Sequence, residues 1–231
     1  MPEKAAVQRS GTVIANIDKI QSCGSTSVSS NWGGARNFRS RTSNQLSLAQ
    51  CRRLIKAGDR ADTMGLRFNR HWTIHYQKAG ISEESATRFI GRVLKLTRDY
   101  AGRNGGQFAY IWVREAGVNY GGHVHILLHL PAGLSLKGRT RKWIELAGGR
   151  CVRKVSRIRT IAGSLQAADR GGPHYDCNVQ IVRNYQLKGG DDEAGQGLGL
   201  LSFGRSGMII GKRCGHSQNI GKVGTRINAR P

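Results

Sequence analysis

The stretch FAYIWVREAGVNYGGHVHILLHLP (residues 108–131) holds two runs rich in aromatic and β-branched residues on either side of AGVNYGG (116–122), a linker with three glycines. Such runs favour strands, and a short glycine-rich linker between them predicts an antiparallel hairpin. Side chains alternate along a strand, so His123 and His125 fall on one face while Val124, Ile126 and Leu128 fall on the other and can be buried. If the seven-residue loop closes symmetrically, Glu115 stands opposite His123, with facing Cβ atoms roughly 5 Å apart. One carboxylate and two imidazoles then share a face. That donor set suits a divalent metal that keeps positions open for substrate.

Working outward, HWTIHY (71–76) alternates large apolar and smaller polar residues as a half-buried strand does, and His71 and His75 share a face that could line the same site. Ser82 has the character of an N-cap with Glu83 and Glu84 in the first turn, and Ala86, Phe89, Ile90, Val93, Leu94, Thr97 and Tyr100 recur at three and four, which predicts an amphipathic helix ending near Gly102. His129 lies on the face of His123 and His125, roughly 13 Å from His125 at the usual strand rise, and reads as a hydrogen-bonded supporting residue rather than a ligand. Residues 134–160 hold nine Lys/Arg and one acid, Glu145, over an expected short helix near Leu134–Leu146 and a strand near Lys154–Ile161. VQIVRNYQLKGG (179–190) reads as an apolar segment entering a short helix that Gly189 and Gly190 end.

The flanks are different in kind. Ser22 to about Ser47 is Ser-, Gly-, Asn- and Arg-rich with few apolar residues, the composition of a flexible basic arm, and 47–61 has helical spacing at Leu48, Cys51, Leu54 and Ile55. No acid follows Glu193, while Gly, Ser, Lys and Arg recur to Pro231. The expected organisation is therefore a largely flexible N-terminal arm over 1–64, a compact domain over 65–192, and a Gly-rich basic tail over 193–231.

In 231 residues, Lys+Arg number 37 against 14 Asp+Glu, a net charge of +23. Charge this extreme implies an anionic partner, nucleic acid before a membrane surface. No stretch approaches the ~18 apolar residues of a spanning helix, and the N-terminus lacks the apolar core of a signal peptide, so an intracellular, cytoplasmic location is expected. Five cysteines without a close pair encode neither a disulfide framework nor a zinc ribbon.

Of six tyrosines, Tyr185 alone has a lysine three residues on, Lys188, which a helix sets beside the phenol. A phenol of pKa ~10 needs such help to act as a nucleophile at neutral pH. Tyr185 is the leading candidate and Tyr175 the lesser one. In order and spacing, Glu115, His123-Val124-His125 and Tyr185-Gln186-Leu187-Lys188 resemble the HUH endonucleases of the single-tyrosine, rolling-circle replication-initiator type, over roughly residues 66–190. The resemblance implies an α+β fold with a central antiparallel sheet of about five strands and flanking helices, in the ferredoxin-like or RRM-like manner. It implies Mg²⁺ or Mn²⁺ held by Glu115, His123 and His125, and nicking of single-stranded or hairpin DNA through a 5′-phosphotyrosine at Tyr185, assisted by Lys188. Initiation of plasmid or phage replication is the implied setting, and a single-tyrosine transposase of a mobile element is the alternative within the superfamily. No G-x-x-x-x-G-K-[ST] occurs, the nearest being GMIIGKR (207–213), so a separate helicase and host replication proteins are expected. A cupin-like site, suggested by Gly117 and His123-x-His125, lacks the following glutamate. A basic DNA- or RNA-binding protein without catalysis is the remaining alternative, since phosphate contacts alone would suffice.

Overall fold

The hairpin is the middle of a larger sheet. In the computed structural model, which describes residues 41–221 apart from Val118, Asn119 and Leu165, its two strands pair with Glu115 opposite His123 and Val113 opposite His125. In chain order the elements are β1 (Thr42–Ser43), α1 (Leu48–Thr63), β2 (Arg70–Ile74), α2 (Glu83–Arg103), β3 (Ala109–Gly117), β4 (Gly121–His129) and α3 (Arg139–Leu146). There follow β5 (Ser156–Thr160), α4 (Ala167–Arg170), α5 (Pro173–Leu187), α6 (Asp192–Leu198), β6 (Ile209–Ile210) and β7 (Cys214–His216). The main sheet is five-stranded and antiparallel in the order β5-β2-β4-β3-β7, and β1 pairs with β6 separately. The fold is α+β, as expected.

Alternation divides the sheet into two faces, each with its own apolar layer. Trp72, Ile74, Trp112, Val124, Ile126 and Leu128 pack against Phe89, Ile90, Val93 and Leu94 of α2 and Trp143 and Ile144 of α3. On the opposite face Ile111, Val113 and Leu127 meet Leu54 of α1 and Tyr175, Val179 and Leu187 of α5. The central strand β4 is thus covered on both sides, which is why its sequence is apolar beyond simple alternation. Entry to β4 is tight: a Cβ at Gly122 would come within 2.5 Å of the Tyr76 ring, so only glycine fits there.

Several elements depart from the sequence reading. Residues 48–63 form a 16-residue helix whose Leu48, Cys51, Leu54, Ala57 and Ala61 are buried, started by a capping box in which Ser47 and Gln50 bond each other's backbone N–H. It belongs to the folded body, not to an arm. The helix carrying Tyr185 begins at Pro173, six residues before the expected apolar segment, because Pro at the first turn and the 175/179/183/187 spacing extend it backwards. α3 starts at Arg139, after Gly138, and β5 covers only Ser156–Thr160.

The expected boundaries at 65 and 192 do not coincide with breaks in packing. The segment read as a tail supplies α6, β6 and the sheet's edge strand β7, whose Cys214 and His216 pair with Val113 and Ile111. Arg213, buried in spite of its charge, donates to Ser43 Oγ, Ser206 Oγ and the carbonyls of Ser43 and Gly207, which pins this segment to residues near the start of the described chain. Of the expected arm, residues up to 40, and of the expected tail over 193–231, residues 222–231, lie outside the described residues. Among the described residues no helix is long and apolar enough to cross a membrane, and Cys51, Cys151, Cys177 and Cys214 are free thiols.

Candidate metal centre

Glu115 at the end of β3 and His123 and His125 on β4 converge, with one ligand atom from each within 4.8 Å of the others. Glu115 Oε2 is 3.5 Å from His123 Nε2 and 3.7 Å from His125 Nε2, and all three side chains are buried. The rings are held from behind. His123 Nδ1 is 2.9 Å from the Gly121 carbonyl, which can only accept, so Nδ1 donates there and Nε2 is turned to Glu115. His125 Nδ1 is 3.0 Å from the Thr73 hydroxyl, across the β2–β4 pairing. Outer partners of this kind fix the orientation of metal-binding imidazoles.

The three donors fit a divalent cation. Lone pairs that face one another over less than 4 Å repel unless positive charge lies among them, and two of the buried atoms here, Glu115 Oε1 and His125 Nε2, have no hydrogen-bond partner. One carboxylate oxygen and two imidazole nitrogens form a mixed hard and borderline set that suits Mn²⁺ better than the strictly oxygen-preferring Mg²⁺, with open positions remaining.

Lys188 supplies fixed positive charge beside them. Its Nζ is 3.0 Å from Glu115 Oε2 and 3.8 Å from the centroid of the Tyr185 ring. Burial opposes ionisation of Glu115, but the polar and positive groups around it, the Lys188 ammonium among them, outweigh it and hold the carboxyl well below its usual range. Burial likewise disfavours the Lys188 ammonium, and its contacts with Tyr185 and Glu115 outweigh that, so its pKa is raised. For His125 burial prevails, and the imidazole is pushed down despite Glu115. An ionised carboxylate beside an imidazole whose charged form is disfavoured by burial is the pairing of protonation states a metal site needs.

Tyr185 reaches this cluster from α5. Its ring centroid is 5.1 Å from that of His125 and 6.2 Å from that of His71, edge-on in both cases, and the residue is 44 % exposed. The helix is aimed by its buried side. Arg183 lies over α1, bonding Asp62 at 2.6 Å and Asp59 at 3.3 Å, and Gly58 makes room, since a Cβ there would sit 3.0 Å from the guanidinium. Tyr175, ten residues earlier, donates its hydroxyl to the Phe68 carbonyl at 2.7 Å and is buried, which removes it as a nucleophile.

The remaining histidines divide as their strand positions suggest. His71 and His75 lie against His125 and His123 with centroids 5.3 and 5.1 Å apart, and burial with the neighbouring positive groups pushes each down to about 4. His129 bonds the Arg67 carbonyl through Nδ1 at 2.9 Å and is absent from the cluster. Sequence reasoning missed Thr73, which pattern alone leaves as an ordinary strand threonine. It also treated 134–160 as one basic zone. Pairing with β2 sets Arg159 opposite His71 and Arg157 opposite Thr73, so these two exposed arginines share the face of the metal ligands. The period-two alternation of SRIRT carried that signal once a partner strand was known.

No protein-family model, curated protein or solved structure matches this chain.

Proposed function

We propose that this protein nicks and rejoins single-stranded DNA through a covalent tyrosyl intermediate, with Tyr185 as nucleophile and Glu115, His123 and His125 as ligands of Mg²⁺ or Mn²⁺. One observation carries the reading: an exposed tyrosine some sixty residues downstream in sequence lies edge-on to His125 with a lysine ammonium on its ring. A buried donor set alone is consistent with a structural ion. An accessible phenol over it, on a chain of charge +23, favours phosphoryl transfer.

A divalent ion bound there would withdraw charge from a non-bridging oxygen of the scissile phosphate. The chain's own groups do the rest. The Tyr185 oxygen attacks phosphorus and loses its proton to solvent, the new P–O bond replaces the bond to the 3′ oxygen, and that oxygen leaves as a 3′-OH after taking a proton from water. Lys188 stabilises the phenolate before attack and the charge that develops during it. The steps reverse when a 3′-OH attacks the phosphotyrosine, so the strand is resealed without ATP. His71 and His75 line the floor as neutral rings, and Arg157 and Arg159 offer phosphate contacts to the strand on one side. Rolling-circle initiation on a plasmid or phage, with a separate helicase and host replication proteins, is the setting this reading implies.

Purified protein incubated with single-stranded oligonucleotides and Mn²⁺ should give a protein–DNA adduct that survives denaturation, is lost in Tyr185→Phe and maps to the peptide containing Tyr185. Salt-sensitive binding with no Tyr185-dependent adduct on any substrate would replace this reading with that of a basic binding protein.

A further inference from the structure

Strand β5 has a second side. Its Arg157 and Arg159 face the metal ligands, while Ser156, Ile158 and Thr160 point to the opposite face and line a cleft of about 590 Å³ between β5 and the segments around α3. The floor is apolar, from Leu136 and Ile158, and hydroxyls of Ser135, Thr140 and Thr160 stand around it. Lys137, Arg153 and Lys154 are the exposed cations of its rim, and no carboxylate lines it. The volume is that of a small-molecule site.

The decisive residue is Arg70, at the start of β2. It is only 7 % exposed and lines this cleft, yet among the described residues its guanidinium makes one hydrogen bond, from Nη1 to the Asn69 carbonyl at 2.8 Å, and no ion pair. Burial depresses its pKa, and the charge of Asp169 offsets this only in part. The other buried arginines differ. Arg114 is paired with Glu83 and Arg183 with Asp59 and Asp62, and Arg213 is enclosed by hydroxyls and carbonyls. A guanidinium so largely buried, with one hydrogen bond and its other nitrogens still open to solvent, is best satisfied by an anion that enters the cleft, and planar guanidinium suits the oxygens of a phosphate.

We infer that the cleft behind β5 is a second binding site, for a nucleoside phosphate, with the phosphate on Arg70 and the base on the apolar floor of Leu136 and Ile158. Its source is a nucleotide of the same DNA strand that crosses Arg157 and Arg159 and then turns round the edge of the sheet. That choice of source rests on the single-stranded DNA reading. A free mononucleotide has the same chemistry, and the experiment separates the two.

The test uses the full chain carrying Tyr185→Phe, in EDTA, so that neither covalent capture nor the metal centre contributes. Calorimetric titration with dAMP should show one site, and deoxyadenosine, lacking the phosphate, should bind at least tenfold more weakly. Arg70→Met should abolish dAMP binding. Thr140→Trp, which fills the cleft without removing a charge or a buried group, should weaken it at least tenfold and keeps the test decisive if Arg70→Met does not fold. A single-stranded oligonucleotide should displace dAMP. Absence of dAMP binding, or binding unchanged in Thr140→Trp, overturns the site. Binding in the cleft that no oligonucleotide displaces overturns the DNA strand as its source and leaves a free mononucleotide as ligand. Adduct formation by the unsubstituted chain is scored separately, so failure of the nicking reading and failure of the cleft are distinct results.

Discussion

The two faces of the central sheet are built from the same strands and do opposite things. On one, Trp72, Ile74, Val124 and Ile126 are sealed beneath α2 and α3. On the other, residues one position away, His71, Thr73, His123 and His125, gather beside Glu115 under the end of α5. The face that carries the histidines is held in place by the apolar face behind it. His125 lies between the fully buried Val124 and Ile126, and His123 between Val124 and the buried Gly122, so the imidazoles inherit the immobility of a packed core, as a preorganised site requires.

Paired substitutions break this comparison most strongly. His125→Ala should reduce Tyr185 adduct formation by at least about 10²–10³-fold, the scale for loss of one strong electrostatic contact to a transition state, and leave the melting temperature within a few degrees. Its neighbour Ile126→Ala should do the reverse, costing about 2–5 kcal/mol in urea unfolding, with substantial adduct activity in the protein that remains folded. Equal loss of stability in both variants would deny that the faces have separate tasks.

A finer cut is Thr73→Val, which keeps the shape of the strand but frees His125 Nδ1. Metal affinity, followed by Mn²⁺ electron paramagnetic resonance, should fall about 10–100-fold, and an unchanged affinity would make Thr73 a bystander. Smaller again is Arg157→Gln with Arg159→Gln. Loss of two phosphate contacts should lower the slope of log affinity against log salt by about 1.4 on a single strand while the metal affinity stays the same.

The smallest expected effect is on acid stability. His71 and His75 are held near pKa 4 against an ordinary 6.5, His71 by burial and then by His125, Arg159, Lys188 and Arg157, and His75 by burial and then chiefly by His123 and Lys78. Between these values the unfolded chain binds more protons than the folded one. Their contribution is therefore complete above about 6.5 and is lost as pH falls toward 4. In chelated protein, urea midpoints measured from pH 7 to pH 5 should decline less steeply in His71→Gln than in the unsubstituted chain. A parallel decline would assign the acid limb to other groups.

Much of this was legible from sequence, for local reasons. The glycine-rich turn fixes the hairpin register, so Glu115 opposite His123 follows from counting, and the i to i+3 spacing of Tyr185 and Lys188 holds wherever the helix begins. His71 and His75 could be assigned to the site by strand alternation alone. What could not be read depends on distant partners. Cys214–His216 is a three-residue strand with no pattern of its own, made a strand by the open edge of β3 and by Arg213, whose acceptors include Ser43. The burial of α1 likewise comes from the sheet face it covers, and Arg70 looks like any strand-end arginine until the segments at 134–140 and 151–154 close over it.

The pairing of β7 with β3 also has a consequence for how the protein is made. Val113 waits for Cys214, and at about 5–20 residues per second roughly 5–20 s of synthesis separate them. Throughout that interval the outer edge of β3, which carries Glu115, presents unpaired N–H and C=O groups to any extended chain nearby. The nascent polypeptide is most open to strand-to-strand aggregation next to Glu115, and slowed translation downstream of β3 should lower the yield of native protein more than slowing upstream of it.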